Sequence, residues 1–191
     1  MKVTIKIPTQ NHIPEIIELI NRELGIDFIT YDQIINYIHS KDSTVCKIAL
    51  NDDTKIVGFM IGYIINYKQF ISKFKNHLNK LPIEFSNSNN VFGCIKTIAV
   101  NSDIQGQGIG SLLCNDCVDE LKKKGTTLLY GTAWKINEKI NSEKMLNHFG
   151  LRALCSIPDF WKNDSILNQY ECSQCGKPPC NCTAVIFGTS D

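Results

Sequence analysis

Apolar and polar residues follow two periods along the chain, and the two periods separate predicted strands from predicted helices. Residues 2–7 alternate singly between polar and apolar side chains, which is typical of a strand with one buried face. The next segment has apolar residues at helical spacing, at Ile13, Ile16, Ile17, Ile20 and Leu24. We predict a helix there, with Asn11 as its cap and Pro14 in its first turn.

The same two periods predict the remaining elements. Further strands are expected at 44–50, 55–65, 91–100, 126–134, 151–157 and 182–188, and further helices at 31–40, 66–81, 108–124 and 141–150. Hairpins and strand–helix–strand units are therefore mixed, which indicates the α+β class with a mixed sheet.

Residues 66–90 interrupt this pattern as an insert between the hairpin and the strand at 91–100. The predicted helix of the insert carries Phe70, Phe74 and Leu78 on one face, and a polar loop follows at 82–90. Three roles are open for the insert, which could cover a cleft, form a dimer surface or merely elaborate the fold.

Composition limits the possible functions. A chain of 191 residues fits one domain with a small appendage, and a net charge of +1 gives no basis for a nucleic-acid or membrane partner. No window approaches about 18 consecutive apolar residues, and the first residues do not resemble a signal peptide. We therefore expect a cytoplasmic protein, as a monomer or a homodimer.

A glycine-rich loop, QGQGIG at 105–110, lies between a predicted strand and a predicted helix. Glycines allow backbone N–H groups to approach a phosphate closely, and the helix N-terminus favours negative charge. A dinucleotide fingerprint needs a third glycine where this chain has Ser111, and a triphosphate loop needs a Gly-Lys-Ser/Thr sequence that is absent. A flexible turn without a ligand is the simpler alternative.

The strand, the turn and the motif [QR]-x-x-G-x-[GA] opening a long helix resemble the GNAT family of N-acetyltransferases. The resemblance covers residues 2–157 and implies a GNAT-like fold, in which a central, mostly antiparallel sheet is flanked by helices. It implies acetyl-CoA as co-substrate and a primary amine of a small molecule or protein as acceptor. The backbone N–H of Val100 would stabilise the oxyanion. The implied cofactor-binding residues are Ile98, Ala99, Val100, Gln105, Gly106, Gln107, Gly108, Ile109, Gly110 and Ser111.

The catalytic side chains usual in that family are missing from the matching positions. Lys96 stands where many members have a glutamate, and Leu146 stands where they have a tyrosine acid. The general base and acid are therefore unassigned, with His148 as a weak candidate acid. Other candidate cleft residues are Tyr130, Asn137 and Asn141. A CoA-binding module without catalysis, using its cysteine cluster as an interaction surface, is the alternative, and transfer of another acyl group is a third possibility.

Nine cysteines divide into two groups. Five are scattered in apolar contexts and are expected to be small buried hydrophobes, namely Cys46, Cys94, Cys114, Cys117 and Cys155. The other four form a Cys-x2-Cys-x4-Cys-x-Cys cluster, with ligand chemistry that suits a closed structural Zn²⁺ site, at Cys172, Cys175, Cys180 and Cys182. Unligated thiols or a redox pair are the alternatives.

The tail that contains this cluster resembles that of a bacterial GNAT subgroup with a C-terminal four-cysteine knuckle. We therefore expect an acyltransferase domain at 1–171, a four-cysteine zinc knuckle at 172–182, and a last strand of the same domain at 182–188.

Overall fold

The computed structural model describes residues 2–75 and 77–189 of the chain. The strands are β1 (Thr4–Lys6), β2 (Thr44–Leu50), β3 (Ile56–Asn66), β4 (Val91–Val100), β5 (Leu128–Lys135), β6 (Leu151–Ile157) and β7 (Thr183–Thr189). The helices are α1 (Ile13–Glu23), α2 (Tyr31–His39), α3 (Tyr67–Phe74), α4 (Ile109–Lys123), α5 (Glu143–His148) and α6 (Lys162–Asn168). None of the helices in these ranges is long and apolar enough to cross a membrane.

One sheet contains all seven strands, in the order β1-β2-β3-β4-β5-β7-β6. Every neighbouring pair is antiparallel except β4 with β5. The prediction of an α+β fold with a mixed, mostly antiparallel sheet is therefore confirmed. The last strand, β7, lies between β5 and β6, so it is an interior strand of the sheet and β6 is the edge strand.

The two parallel strands stay together for only four residues. Residues 92–95 of β4 pair with residues 128–131 of β5, and no pairing continues beyond Ile95 and Gly131. On the other side of β4, Thr97 pairs with Ile61 and Ile95 pairs with Gly62, so Lys96 is the extra residue of a β-bulge. A bulge bends its strand and increases its twist, and the carboxyl ends of β4 and β5 diverge from this point.

Helices cover both faces of the sheet. The helix α4 lies on one face together with α5, and alternate residues of β7, Val185 and Phe187, point to that side. The opposite face is covered by α1 and α2 over β2, β3 and β4. Each of these helices buries an apolar stripe, which explains why their positions could be predicted from period alone.

The insert differs from its prediction. Its helix α3 ends at Phe74 instead of 81, and a 3-10 turn at Leu78–Lys80 follows. The segment predicted as a polar loop contains a second 3-10 turn, Ile83–Ser86, that buries Phe85. The rings of Phe70 and Phe92 stack with their centroids 4.0 Å apart. The insert therefore supplies part of the core beside β4, β5 and β7.

One smaller prediction was wrong, and one helix was missed. Asn11 does not cap α1, because a 3-10 turn at Gln10–His12 precedes that helix and His12 occupies the cap position. The helix α6 was not predicted, since its short sequence has no apolar period. Pro14 does lie in the first turn of α1, as expected.

Truncating Phe70 should test whether the insert is structural. Phe70 is fully buried among four aromatic rings, so we expect Phe70→Ala to lower the free energy of unfolding by about 3–5 kcal/mol. Ile83 belongs to the same insert but is 80% exposed. The Ile83→Ala variant should therefore change the free energy of unfolding by less than about 0.5 kcal/mol. Urea unfolding of both variants measures the difference. Equal, small effects would show that the insert is a loosely attached elaboration.

Candidate functional site

A cleft of about 590 Å³ opens where β4 and β5 diverge. Its walls come from the carboxyl half of β4, the glycine loop, the start of α4, β5, and the segment around α5. The carboxyl ends of two parallel strands and a helix N-terminus therefore meet in one concave surface, which is a common place for a ligand in α/β sheets.

The backbone of β4 presents free groups to this cleft. The N–H of Asn101 donates a hydrogen bond to the Val57 carbonyl on the β3 side, at 3.0 Å. Backbone N–H groups alternate in direction along a strand, so those of Val100 and Ile98 point the other way, toward the gap left by β5. The Gln105 side-chain amide donates to the Val100 carbonyl at 2.9 Å, which agrees with that direction.

The glycine loop leaves open space above the N-terminus of α4. Gly106 and Gly108 have φ angles of +80° and +83°, a left-handed conformation that side chains disfavour. A Cβ atom built on either glycine would meet no atom within 4 Å. Because α4 begins directly after Gly108, its first N–H groups face this open space.

Nine of the ten expected cofactor-binding residues line the cleft, and the exception is Gln107. Gln107 borders a shallow neighbouring recess together with His148, which does not line the main cleft. Leu146 is buried against the core, so no hydroxyl group occupies that position. Among the candidate cleft residues, Asn141 lines the cleft, whereas Tyr130 is buried in the aromatic core. Asn137 is outside the lining.

Lys73 belongs to the cleft although no sequence pattern predicted it there. Lys73 is on α3, and its Nζ donates a hydrogen bond to the Tyr63 hydroxyl at 2.7 Å. The same Nζ lies 5.4–5.9 Å from the ring centroids of Tyr63, Phe74 and Tyr130. Burial of this amino group lowers the pKa of Lys73 and the positive charge of Lys96 lowers it further, while the negative charge of Asp164 opposes the shift. Only the aromatic positions of the insert had a periodic signal, so the lysine between them was missed.

The four clustered cysteines converge beside the cleft, next to Ser173 and Gln174 in its wall. Their Sγ atoms all lie within 4.8 Å of one another, with Cys182 Sγ 3.7 Å from Cys172 Sγ and 3.4 Å from Cys175 Sγ. Gly176 has a φ of +74°, and the Gln174 N–H donates to Cys172 Sγ at 3.4 Å. The glycine after Cys-x-x-Cys is thus in the left-handed conformation, which glycine adopts without steric cost.

This cysteine cluster is bound to the loop between α1 and α2. The N–H of Glu171 donates to the Ile26 carbonyl at 2.9 Å, and the N–H of Ser173 donates to the Leu24 carbonyl at 3.2 Å. Gly25 has a φ of +131°, and a Cβ there would overlap the Glu171 carbonyl oxygen. Ser173 itself lines the cleft. The cluster and the α1–α2 loop therefore form one continuous wall.

The remaining cysteines are packed as small hydrophobic side chains. Cys46, Cys94, Cys114 and Cys117 are buried, as expected, whereas Cys155 is only half-buried. Burial raises the pKa of Cys114 to about 12 and the pKa of Cys117 well above its ordinary value. A thiol with a raised pKa is a poor nucleophile at neutral pH, so neither of these two thiols is suited to a covalent mechanism.

Comparison with solved structures finds the same fold in several acetyltransferases. A chain of the NatC complex bound to Gag peptide and CoA gives a TM-score of 0.69 at 12% identity, covering 100% of this chain and 99% of that one. NAA60 from Arabidopsis thaliana, in complex with a bisubstrate analogue, gives 0.69 at 12% identity, covering 98% and 97%. The ribosomal-protein-S18-alanine N-acetyltransferase from Escherichia coli gives 0.64 at 13% identity, covering 98% and 93%. No curated protein sequence matches the chain.

The fold and the sequence together define the class of protein. The family model for the acetyltransferase (GNAT) family matches residues 13–140, about two thirds of the sequence. The chain therefore belongs to the GNAT acetyltransferase family, as the glycine loop and its surrounding elements indicated. The matched range contains the diverging strands, the loop and α4.

Proposed function

We propose that this protein is an acetyl-CoA-dependent N-acetyltransferase that acts on a primary amine of a small molecule or a protein. The observation that carries the proposal is the junction of two features: the unpaired backbone of β4 and the glycine-rich N-terminus of α4. The first can bind an extended thioester arm and the second a pyrophosphate. Structures of similar fold hold CoA with a peptide, or a bisubstrate analogue, which supports this assignment.

The pyrophosphate of the cofactor would lie on the loop, and its pantetheine arm would follow β4. Negative phosphate oxygens are favoured there because N–H groups converge on open space and the α4 dipole adds positive potential. The proposed contacts are made by Ile98, Ala99, Val100, Gln105, Gly106, Gln107, Gly108, Ile109, Gly110 and Ser111.

The acyl transfer needs few side chains in this arrangement. The amine nitrogen attacks the thioester carbonyl carbon, and the Val100 N–H would stabilise the resulting oxyanion. The carbon–sulfur bond then breaks and CoA leaves as a thiolate, which takes up a proton. A thiol with a pKa near about 8.5 departs with little acid catalysis, which is consistent with Leu146 in place of a tyrosine.

The proton of the acceptor must leave before or during the attack. An alkyl ammonium has a pKa of about 10.4, so a base or an ordered water chain has to accept that proton. Lys96 lines the cleft in the position where many family members have a glutamate, and its Nζ lies 5.9 Å from the Tyr37 ring centroid. We assign no general base and propose that water carries the proton.

The cysteine cluster fits a structural Zn²⁺ ion. A zinc–thiolate bond of about 2.3 Å in a tetrahedron places neighbouring sulfur atoms about 3.8 Å apart, and the observed Sγ separations of 3.4 and 3.7 Å are close to that value. The set has only soft thiolate donors, which suits zinc. When bound, the metal would fix the wall formed by the cluster and the α1–α2 loop, beside the acceptor part of the cleft.

This arrangement supports three further proposals. The chain belongs to a GNAT subgroup with a C-terminal four-cysteine knuckle. It consists of an acyltransferase domain at 1–171, including the insert 66–90, and a knuckle at 172–182 before the last strand. It works in the cytoplasm, where nine cysteines without a disulfide stay reduced.

A thiol-release assay with acetyl-CoA and a panel of amines tests the function. We expect release of free CoA that depends on the amine, together with an acetylated product detected by mass spectrometry. Acetyl-CoA binding without turnover of any amine would leave only the CoA-binding module without catalysis. Absence of both binding and turnover would contradict the cofactor assignment itself.

A further inference from the structure

Two lysines reach the part of the cleft that lies away from the glycine loop. Lys73 comes from the insert helix α3 and Lys96 from the bulge of β4, and both line the cleft. Tyr63, which accepts the hydrogen bond of Lys73, pairs with Cys94 across the sheet. Cys94 is six residues before Val100, or about 20 Å along a strand at about 3.3 Å per residue. By the same measure Lys96, four residues before Val100, is about 13 Å along the strand from Val100, so Lys73 is the more remote of the two from the proposed pyrophosphate site.

Among the described residues, neither lysine forms an ion pair with a carboxylate, although the more distant charge of Asp164 partly favours the charged form of Lys73. Among the side chains that line the cleft, Glu23 is the one carboxylate, and it already accepts hydrogen bonds from Ser102 and pairs with Arg22 at 2.9 Å. The nearest groups around Lys73 Nζ are aromatic rings and a hydroxyl, although the residue as a whole is exposed. Two like charges thus face one recess without an ion-pair partner among the described residues.

A buried lysine outside the cleft has carboxylate partners. Lys47, whose side chain is 10% exposed, has Asp116 and Glu120 each at 2.7 Å. Burial opposes the charge of Lys47, but these two carboxylates outweigh it and raise the pKa of Lys47. An ammonium in a poorly solvated place is costly without such a partner. The contrast indicates that the partner of Lys73 and Lys96 arrives with a ligand.

A third polar group in the recess also lacks a partner. Thr97 follows Lys96 on β4, lines the cleft and is 5% exposed. Its hydroxyl makes no hydrogen bond to any described residue. A buried hydroxyl without a partner costs free energy, and an oxygen-rich ligand group in this recess would satisfy it.

From these contacts we infer that the amine acceptor carries a carboxylate, which Lys73 and Lys96 bind while Thr97 donates a hydrogen bond to it. The inference rests on the proposed acetyl transfer, and it narrows the acceptor to amino-carboxylates. The carboxylate would anchor the acceptor at the far end of the cleft and leave its amine directed toward the thioester. A free amino acid and a peptide that begins with acidic residues share this chemistry.

Matched pairs of probes test the inference. The probes are amino acids of increasing chain length: glycine, β-alanine, γ-aminobutyrate and 5-aminovalerate. Their rates of acetylation should depend on chain length, because the carboxylate and the amine must reach two fixed places in the cleft. The best probe should exceed its own carboxamide by at least about tenfold in kcat/KM. Two peptides that differ only in an acidic Asp-Glu or a neutral Asn-Gln start distinguish a peptide acceptor from a free amino acid. Equal rates for every carboxylate and its carboxamide, and for both peptides, would overturn the inference.

Substitutions assign the preference to the two lysines. Lys73→Met and Lys96→Met keep the aliphatic stem but remove the charge, and each should raise KM for the carboxylate probe and reduce the preference for the carboxylate over its carboxamide by at least about fivefold. Lys68→Met, on the exposed side of the same helix as Lys73, should change neither value. A loss of kcat for all probes with the preference unchanged would assign Lys73 to proton transfer and contradict the inference.

Equilibrium binding tests carboxylate recognition without depending on whether acetyl transfer occurs. Each probe is titrated into wild-type protein saturated with CoA and into the Lys73→Met variant. Carboxylate binding that exceeds carboxamide binding and depends on Lys73 supports the inference even if no probe is acetylated. Turnover of amines without any carboxylate preference supports the proposed function and rejects the inference.

Discussion

Gly108→Asp should weaken acetyl-CoA binding at least about 100-fold, or about 2.7 kcal/mol. A Cβ at Gly108 would occupy the open space above the first turn of α4, and a carboxylate there would repel the cofactor phosphates. The fold should persist, because no protein atom lies within 4 Å of the added Cβ. Isothermal titration with acetyl-CoA measures the effect.

Gly125 provides a matched control for the backbone strain. Gly125 follows the other end of α4, has a φ of +85°, and is equally free of contacts at its Cβ position. Gly125→Asp should have a similar cost in stability, about 1–2 kcal/mol, but leave the acetyl-CoA dissociation constant within about threefold. If both variants bind acetyl-CoA as the wild type does, the loop does not hold the pyrophosphate.

Loss of the proposed zinc ion should have the second large effect, on thermal stability and on acceptor binding. We expect the purified protein to contain about one zinc per chain, and Cys182→Ser to remove it. A loss of about 3 kcal/mol would lower Tm by roughly 6–12 °C for a chain of this length. Because the cluster holds the α1–α2 loop, KM for the acceptor should rise while acetyl-CoA binding is retained. Metal analysis, thermal melts and acceptor kinetics give the three measurements.

Cys155→Ser separates the metal from a general effect of cysteine replacement. Cys155 is half-buried on β6 and lies outside the cluster, so this variant should keep its zinc and lose little stability. A wild-type protein that holds no metal and melts at the same temperature with and without chelator would contradict the zinc proposal. If removal of the metal also lowers the affinity for acetyl-CoA, the cysteine cluster does not act on acceptor binding alone.

The order of elements could be predicted from the sequence because each helix and strand has a period of its own. The apolar stripe of α1 was sufficient to find this helix, and the bounds of β6 agree with the prediction although its burial does not alternate. The elements that were missed, α6 and the 3-10 turn that buries Phe85, are too short to show a period. Their burial depends on distant strands.

The cofactor loop could be recognised for a related reason. Its proposed function depends on backbone groups that are consecutive in the chain, and glycine is favoured wherever φ is positive or a ligand approaches closely. Gly106 and Gly108 therefore indicate the conformation that the structure shows. The cysteine cluster could also be predicted from the sequence, because the short spacing of the four cysteines keeps their sulfur atoms close together.

The acceptor side of the cleft was not visible in the sequence. Lys73, Lys96 and Thr97 come from two elements, and nothing in their spacing predicts that the insert helix lies against β4. The same holds for the hydrogen bonds between the cysteine cluster and the α1–α2 loop, which join residues about 150 positions apart.

By itself, the sequence determined the class of fold, the family and the glycine loop, because local period and consecutive glycines encode them. Only the tertiary structure decided where β4 and β5 separate, which lysines share a recess, and what the cysteine cluster supports. These features arise from long-range packing, in which the insert and the last strands pack against the same sheet, and no short stretch of the chain contains that information.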